Sequence, residues 1–76
     1  MVVYPRIVIH PEVQGGRPCI EGTRVPVHVL VDGVASGATV SDLREAYGVG
    51  TADVRAALRY AAATIEEQRL VALPRR

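Results

Sequence analysis

Gly37 and Gly48 divide the second half of the chain into three segments, and each has apolar residues at helical spacing. Val27, Leu30, Val31 and Val34 fall at i, i+3, i+4 and i+7, which gives one face of a helix over Val27 to Ser36. Val40, Leu43, Ala46 and Tyr47 share a face over residues 40–47, and Val54, Ala57, Leu58, Ala61 and Ile65 form a stripe from Thr51 to about Arg69. Glycine ends a helix readily because it enters the left-handed conformation without a Cβ penalty. The starts are also marked. Pro26 suits the first helical position, where its missing N–H costs nothing. Thr39-Val40-Ser41-Asp42 reads as a capping box with Asp in place of Glu or Gln. Thr51 reads as a cap, with Asp53 at the positive end of the helix dipole. Gly33 weakens the first helix by up to ~1 kcal/mol relative to Ala, so close backbone approach by a neighbouring element is expected there.

The first 26 residues have a different grammar. Val2 to Ile9 is β-branched, and Arg6 to His10, ending at Pro11, reads as a short strand. Residues 12–18 carry the Gly-Gly and X-Pro signals of a loop. Cys19-Ile20-Glu21 is a second extended piece, and Gly22-Thr23-Arg24 turns the chain onward. A hairpin or a pair of short strands is expected, resting on the helices or on another chain, since an isolated hairpin is barely stable in water. The chain thus divides into a strand and turn segment (1–26), a three-helix unit (27–69) and a tail (70–76), all in one domain.

Size limits how such a unit is held together. A domain of 76 residues buries only ~60% of the surface its unfolded chain exposes. Phe and Trp are absent, so Val, Ala, Leu and Ile must do the packing, and one cysteine allows no internal disulfide. Cys19, His10 and His28 match no zinc spacing, and neither histidine stands in a recognisable motif with Cys19, which reads as a small buried residue. Gly15-Gly16 is a turn rather than a phosphate loop, because no Gly-Lys-Ser/Thr follows. Glu66 and Glu67 are adjacent on a helix and point apart. No arrangement meets the requirements of an active site, so no enzyme, cofactor, metal or small-molecule substrate is expected. Self-association or a partner protein is. The N-terminus lacks the layout of a signal peptide and no apolar run approaches a membrane span, which makes a cytoplasmic protein the expectation.

Segments 40–47 and 52–69, joined by a tight Gly-Val-Gly turn, have the layout of a helix-turn-helix. In that unit the start of the second helix enters the major groove, which nominates Thr51, Ala52, Arg55 and Arg59. Thr and Ala can meet a thymine methyl and Arg can pair with guanine. Against this stand a net charge of only +1, the presence of Asp53, and the frequency of plain helical bundles. All nine basic residues are Arg, which suits bidentate phosphate contacts but also follows from a GC-rich coding bias.

The run Gly16-Arg17-Pro18-Cys19-Ile20-Glu21-Gly22-Thr23-Arg24-Val25-Pro26-Val27 resembles the G-[KR]-P-x-I-x-G-T-R-[IV]-x-V signature of the domain-of-unknown-function 433 (DUF433) family. Ile7 to Pro11 looks like its opening strand, Gly37-Ala38-Thr39 like its helix start, and residues 53–61 like its D-[IV]-x-A-A-L-x-Y-A stretch. The resemblance spans residues 7 to 67. It implies a mainly α, homeodomain-like three-helix bundle with a short N-terminal strand or hairpin. It also implies a VapB-like antitoxin that dimerises, binds a PIN-like toxin nuclease and contacts its own operator DNA. The family commonly has Tyr-Pro where this chain has Tyr47-Gly48, so a looser turn is expected. Gly16, Pro18, Gly22, Thr23 and Pro26 read as structural members of the signature, and Arg24 is expected to face a carboxylate in this chain or a second one. Leu70, Val71 and Leu73 of the apolar tail are the expected toxin contacts. The alternative is a homo-oligomeric interaction domain without DNA binding, its strands paired between chains.

Overall fold

A computed structural model describes residues 1–68, which form a three-stranded antiparallel sheet followed by three helices. The strands are β1 (Val2–Tyr4), β2 (Ile7–Val8) and β3 (Cys19–Ile20), in spatial order β1-β2-β3. The helices are α1 (Val27–Ala35), α2 (Val40–Tyr47) and α3 (Thr51–Gln68). The architecture is therefore mixed α and β, three helices preceded by a small antiparallel sheet.

The sheet corrects the reading of Arg6 to His10 as the opening strand, which is confined to Ile7–Val8 and preceded by a further strand at Val2–Tyr4. Pro5 and Arg6 turn the chain between Tyr4 and Ile7, which pair across the hairpin. β2 then pairs with β3 in the register Ile7 to Ile20 and Val8 to Cys19. Pleating sends the Ile7–Ile20 pair into the helical core. The Val8–Cys19 pair lies outside that core cluster and is still buried. The segment after β3 folds back on it: Ile20 N–H donates to Val25 C=O at 3.0 Å and Val27 N–H to Pro18 C=O at 2.9 Å. The Thr23 hydroxyl donates to Ile20 C=O at 2.8 Å and accepts from Val25 N–H at 3.0 Å, which closes that return. Pro26 is not the first helical residue. It stands one place earlier, as an extended N-cap with ψ 145°.

Ile7, Ile20, Val27, Leu30, Leu43, Val49, Val54, Ala56 and Ala57 make the core. α3 packs chiefly on α1 and also meets β2. α2 contributes a single buried residue, Leu43. Its Cδ2 would lie 2.9 Å from a Cβ at position 33, so Gly33 admits the Leu43 side chain and not the backbone of a neighbouring element. The turn after α2 is closed rather than loose. Gly48 takes φ 75°, its N–H caps Arg44 C=O at 2.8 Å, and Val49 is driven into the core at 1% exposure.

The stripe on α3 is only partly used. Val54 and Ala57 are fully packed, but Leu58 is 37% exposed and Ile65 70% exposed. Eighteen residues make a helix about 27 Å long, and its second half runs past the end of the core. Tyr4 and Tyr60 meet edge-to-face, centroids 5.7 Å apart, and fasten the hairpin to the middle of α3.

Candidate nucleic-acid interface

The start of α3 is built differently from the reading in which Thr51 caps it. Thr51 is the first helical residue. Gly50 precedes it and its C=O accepts from Asp53 and Val54 N–H, both at 3.1 Å. Asp53 reaches back so that Oδ2 accepts from Gly50 N–H at 3.0 Å. Its other oxygen, Oδ1, accepts from an Arg6 guanidinium nitrogen at 3.0 Å. One carboxylate thus orders the helix start and ties it to the β1–β2 turn.

Arg6 holds φ 69°. A fixed-φ proline followed by a residue at positive φ is the pattern of a type II turn, where glycine is the unstrained choice. An arginine in this region carries about 1 kcal/mol or more of backbone strain. Its C=O is also committed, accepting from Glu21 N–H at 2.8 Å.

The β1–β2 turn and the first half of α3 flank an open concavity of about 290 Å³, lined by Tyr4, Pro5, Arg6, Ala52, Arg55, Ala56 and Arg59. Three of the four residues nominated for DNA therefore sit on one face with Arg6. Thr51, the fourth, is exposed at the end of that helix. In the sequence Arg6 reads as the start of a strand and not as a site residue. Its signal was a Pro-x pair between two β-branched runs, which marks a turn. Nothing local points from that turn to Asp53, 47 residues away.

The signature residues lie elsewhere. Gly16, Pro18, Gly22, Thr23 and Pro26 shape the loops flanking β3, with Gly16 and Gly22 at positive φ. Arg24 is exposed, and among the described residues no carboxylate pairs with it. Its charge nonetheless draws down the Cys19 thiol pKa, against the larger effect of burial, which pushes it up. Cys19 is 2% exposed and its thiol donates to Arg17 C=O at 3.4 Å. A buried thiol packs as a small apolar group. Among the described residues, no three His, Cys, Asp or Glu side chains converge as a metal site, and no helix is long and apolar enough to cross a membrane. Leu70, Val71 and Leu73 lie outside the described residues.

A second concavity runs between α1 and the far half of α3, about 940 Å³ in volume, with Val27, Val31, Tyr47, Tyr60, Ala61 and Ile65 among its lining. It is an apolar groove and it extends to Gln68.

The family of proteins of unknown function DUF433 matches residues 7–61, most of the chain. This chain belongs to the DUF433 family. A crystal structure of a DUF433 member protein from Anabaena variabilis superposes with a TM-score of 0.72 at 36% sequence identity. The alignment covers 82% of this chain and 62% of that one, so this chain spans less than two thirds of its relative's length. No curated protein matches the sequence. Arg55 and Arg59 fall inside the DUF433 match and Arg6 falls just before it.

Proposed function

We propose that this DUF433 protein is an antitoxin-like, DNA-binding module of the helix-turn-helix kind, homeodomain-like in its three helices, dimeric and cytoplasmic. In this reading it masks a PIN-like toxin nuclease and represses its own operon. The observation that supports it is the collection of Arg6, Arg55 and Arg59 around one concave face at the start of the longest helix, beside exposed Thr51 and Ala52. Guanidiniums so placed can meet phosphate oxygens or a guanine edge while the small side chains allow close approach. The weak net charge sets the expectation for affinity: binding should be strong only at low salt.

Fluorescence anisotropy with the duplex upstream of the gene tests this. Binding should weaken steeply with salt, and Arg55→Ala with Arg59→Ala should lower affinity at least about tenfold, given ~1–3 kcal/mol for each good contact. No binding at 50 mM salt would reject the DNA role. The toxin role has its own test. Removing residues 70–76 should weaken capture of a nuclease encoded beside the gene, and unchanged capture would reject the tail as the contact.

A second reading, a homo-oligomeric interaction domain without DNA, is favoured by the exposure of Leu58 and Ile65 on α3. A second copy would cover that strip. Equilibrium sedimentation separates the two: an oligomer dissociated by Ile65→Glu, together with absent DNA binding, selects this reading.

A further inference from the structure

We infer that the pocket between the Pro5-Arg6 turn and α3 is a phosphate-binding site, in which Arg6, Arg55 and Arg59 grip one oxyanion. Under the DNA reading, on which only the source of the phosphate rests, that group is a backbone phosphodiester. The pocket therefore sets position on the duplex and leaves sequence reading to Thr51 and Ala52.

Four observations converge. Three arginines from two separate elements line one concavity of about 290 Å³. Asp53, the carboxylate paired with Arg6, has both oxygens engaged: Oδ2 accepts from Gly50 N–H and Oδ1 from Arg6. Those three arginines and Asp53 together carry a charge of +2. Arg6 is held by Asp53 through one nitrogen, and a guanidinium has five N–H donors, so a phosphate oxygen can be met by the rest. Asp53 is thus a positioning residue for Arg6 and not a competitor for the anion. The adjacent first turns of α3 also lie at the positive end of its dipole. Finally, the chain keeps an arginine at φ 69°, where glycine would be relaxed. That strain delivers a cation to this pocket.

The arginines set the ligand class. Ala52 and Pro5 leave room beside them, and Tyr4 is turned onto Tyr60. The space admits a tetrahedral oxyanion, and forked guanidinium donors match its oxygens.

The test has two arms on the full chain. In the first, pyrophosphate and then inorganic phosphate are titrated while the arginine side-chain N–H signals are followed by NMR. Saturable shifts at Arg6, Arg55 and Arg59 are expected, abolished in Arg59→Gln, which leaves the Arg6–Asp53 pair intact. In the second, duplex binding is measured across a salt series. Arg6→Gln and Arg59→Gln should each weaken binding about five- to tenfold at low salt, equally on the operator and on an unrelated duplex, and each should reduce the salt slope by about one. Pyrophosphate shifts without duplex binding would uphold the site, assign it to free phosphate compounds and reject the DNA reading. Duplex binding with an unchanged slope in both variants, and no response to pyrophosphate, would overturn the site while leaving the DNA reading standing. Silence in both arms would overturn both.

Discussion

The starts of α2 and α3 carry an aspartate at the same helical position and use it differently. Asp42 and Asp53 each stand third in their helix, and each reaches back to the N–H of the residue before the helix, at 2.8 and 3.0 Å. At α2 that residue is Thr39, whose hydroxyl accepts from Asp42 N–H at 3.0 Å and completes a reciprocal box. At α3 it is Gly50, which has no side chain to return the bond. The α2 start is therefore a local device, complete within four residues. The α3 start is half local, and its aspartate spends the other oxygen on Arg6, across the molecule. A helix cap thereby serves as a tertiary anchor, and that anchor holds the turn that completes the arginine pocket.

Removing Asp53 should break the comparison most sharply. Asp53→Ala removes the bond to Gly50 N–H, the charge at the helix start and the pair with Arg6. Capping and dipole effects together contribute ~1–1.5 kcal/mol, and the half-exposed pair adds less than about 1 kcal/mol. A loss of about 1.5–2 kcal/mol is expected in urea denaturation, accompanied by altered Tyr4 and Tyr60 ring signals as the hairpin loosens. A loss below about 0.5 kcal/mol with unchanged rings would mean that the α3 start is as local as the α2 start.

Arg6 separates strain from pairing. Arg6→Ala gives up the ion pair and keeps a Cβ at positive φ, whereas Arg6→Gly gives up the pair and relaxes the turn. The glycine variant should be more stable than the alanine variant by roughly 1 kcal/mol. Equal stabilities would show that the turn does not hold Arg6 in the left-handed region in solution.

At α2 the effect should be smaller. Thr39→Ala is expected to cost roughly 0.5–1 kcal/mol, with no effect on the tyrosine rings, since nothing tertiary hangs from this cap. The box also carries a pH signature. Thr39 lowers the Asp42 carboxyl pKa below the usual carboxylate range, first through its backbone N–H and then through its hydroxyl. A depressed folded-state pKa contributes stability that is present above the unfolded value and lost as pH falls through the folded one. Acid should therefore weaken α2, and Thr39→Ala should narrow that window from below. An acid unfolding profile unchanged by Thr39→Ala would contradict the hydroxyl's share.

This contrast also explains what was legible in the sequence. The Thr39–Asp42 box and the stops at Gly37 and Gly48 act over three or four residues, and such patterns are visible in any linear reading. Gly50 was overlooked as a cap because Thr51, next to it, is the better-known capping residue. Strands of two or three residues carry too little alternation to count, so three became two. Periodicity identified the apolar face of α3 but is silent about what covers it, which is why Leu58 and Ile65 read as core and stand exposed. Val49, flanked by two glycines, has no periodic context and is nonetheless 1% exposed. Ala52, Arg55 and Arg59 were legible as one helical face. Arg6, which makes that face a pocket, was not, because an ion pair spanning 47 residues leaves no local mark.

The finest test converts one helix start into the other. A Cβ at position 50 would meet no atom within 4 Å and Gly50 is not at positive φ, so a side chain fits without strain. Gly50→Ser supplies the hydroxyl that Thr39 supplies to α2, able to accept from Asp53 N–H and complete the box. Replacing a glycine cap by serine is worth a few tenths of a kcal/mol, or about 1–3 °C in the melting temperature of a domain this size. The gain should persist when Arg6→Ala is added, because cap and ion pair use different oxygens of Asp53. Independent contributions add to within ~0.3–0.5 kcal/mol. A gain that appears only in the double variant would show that Asp53 cannot close the box and hold Arg6 together. The glycine at position 50 would then be what leaves the aspartate free to hold the arginine turn in place.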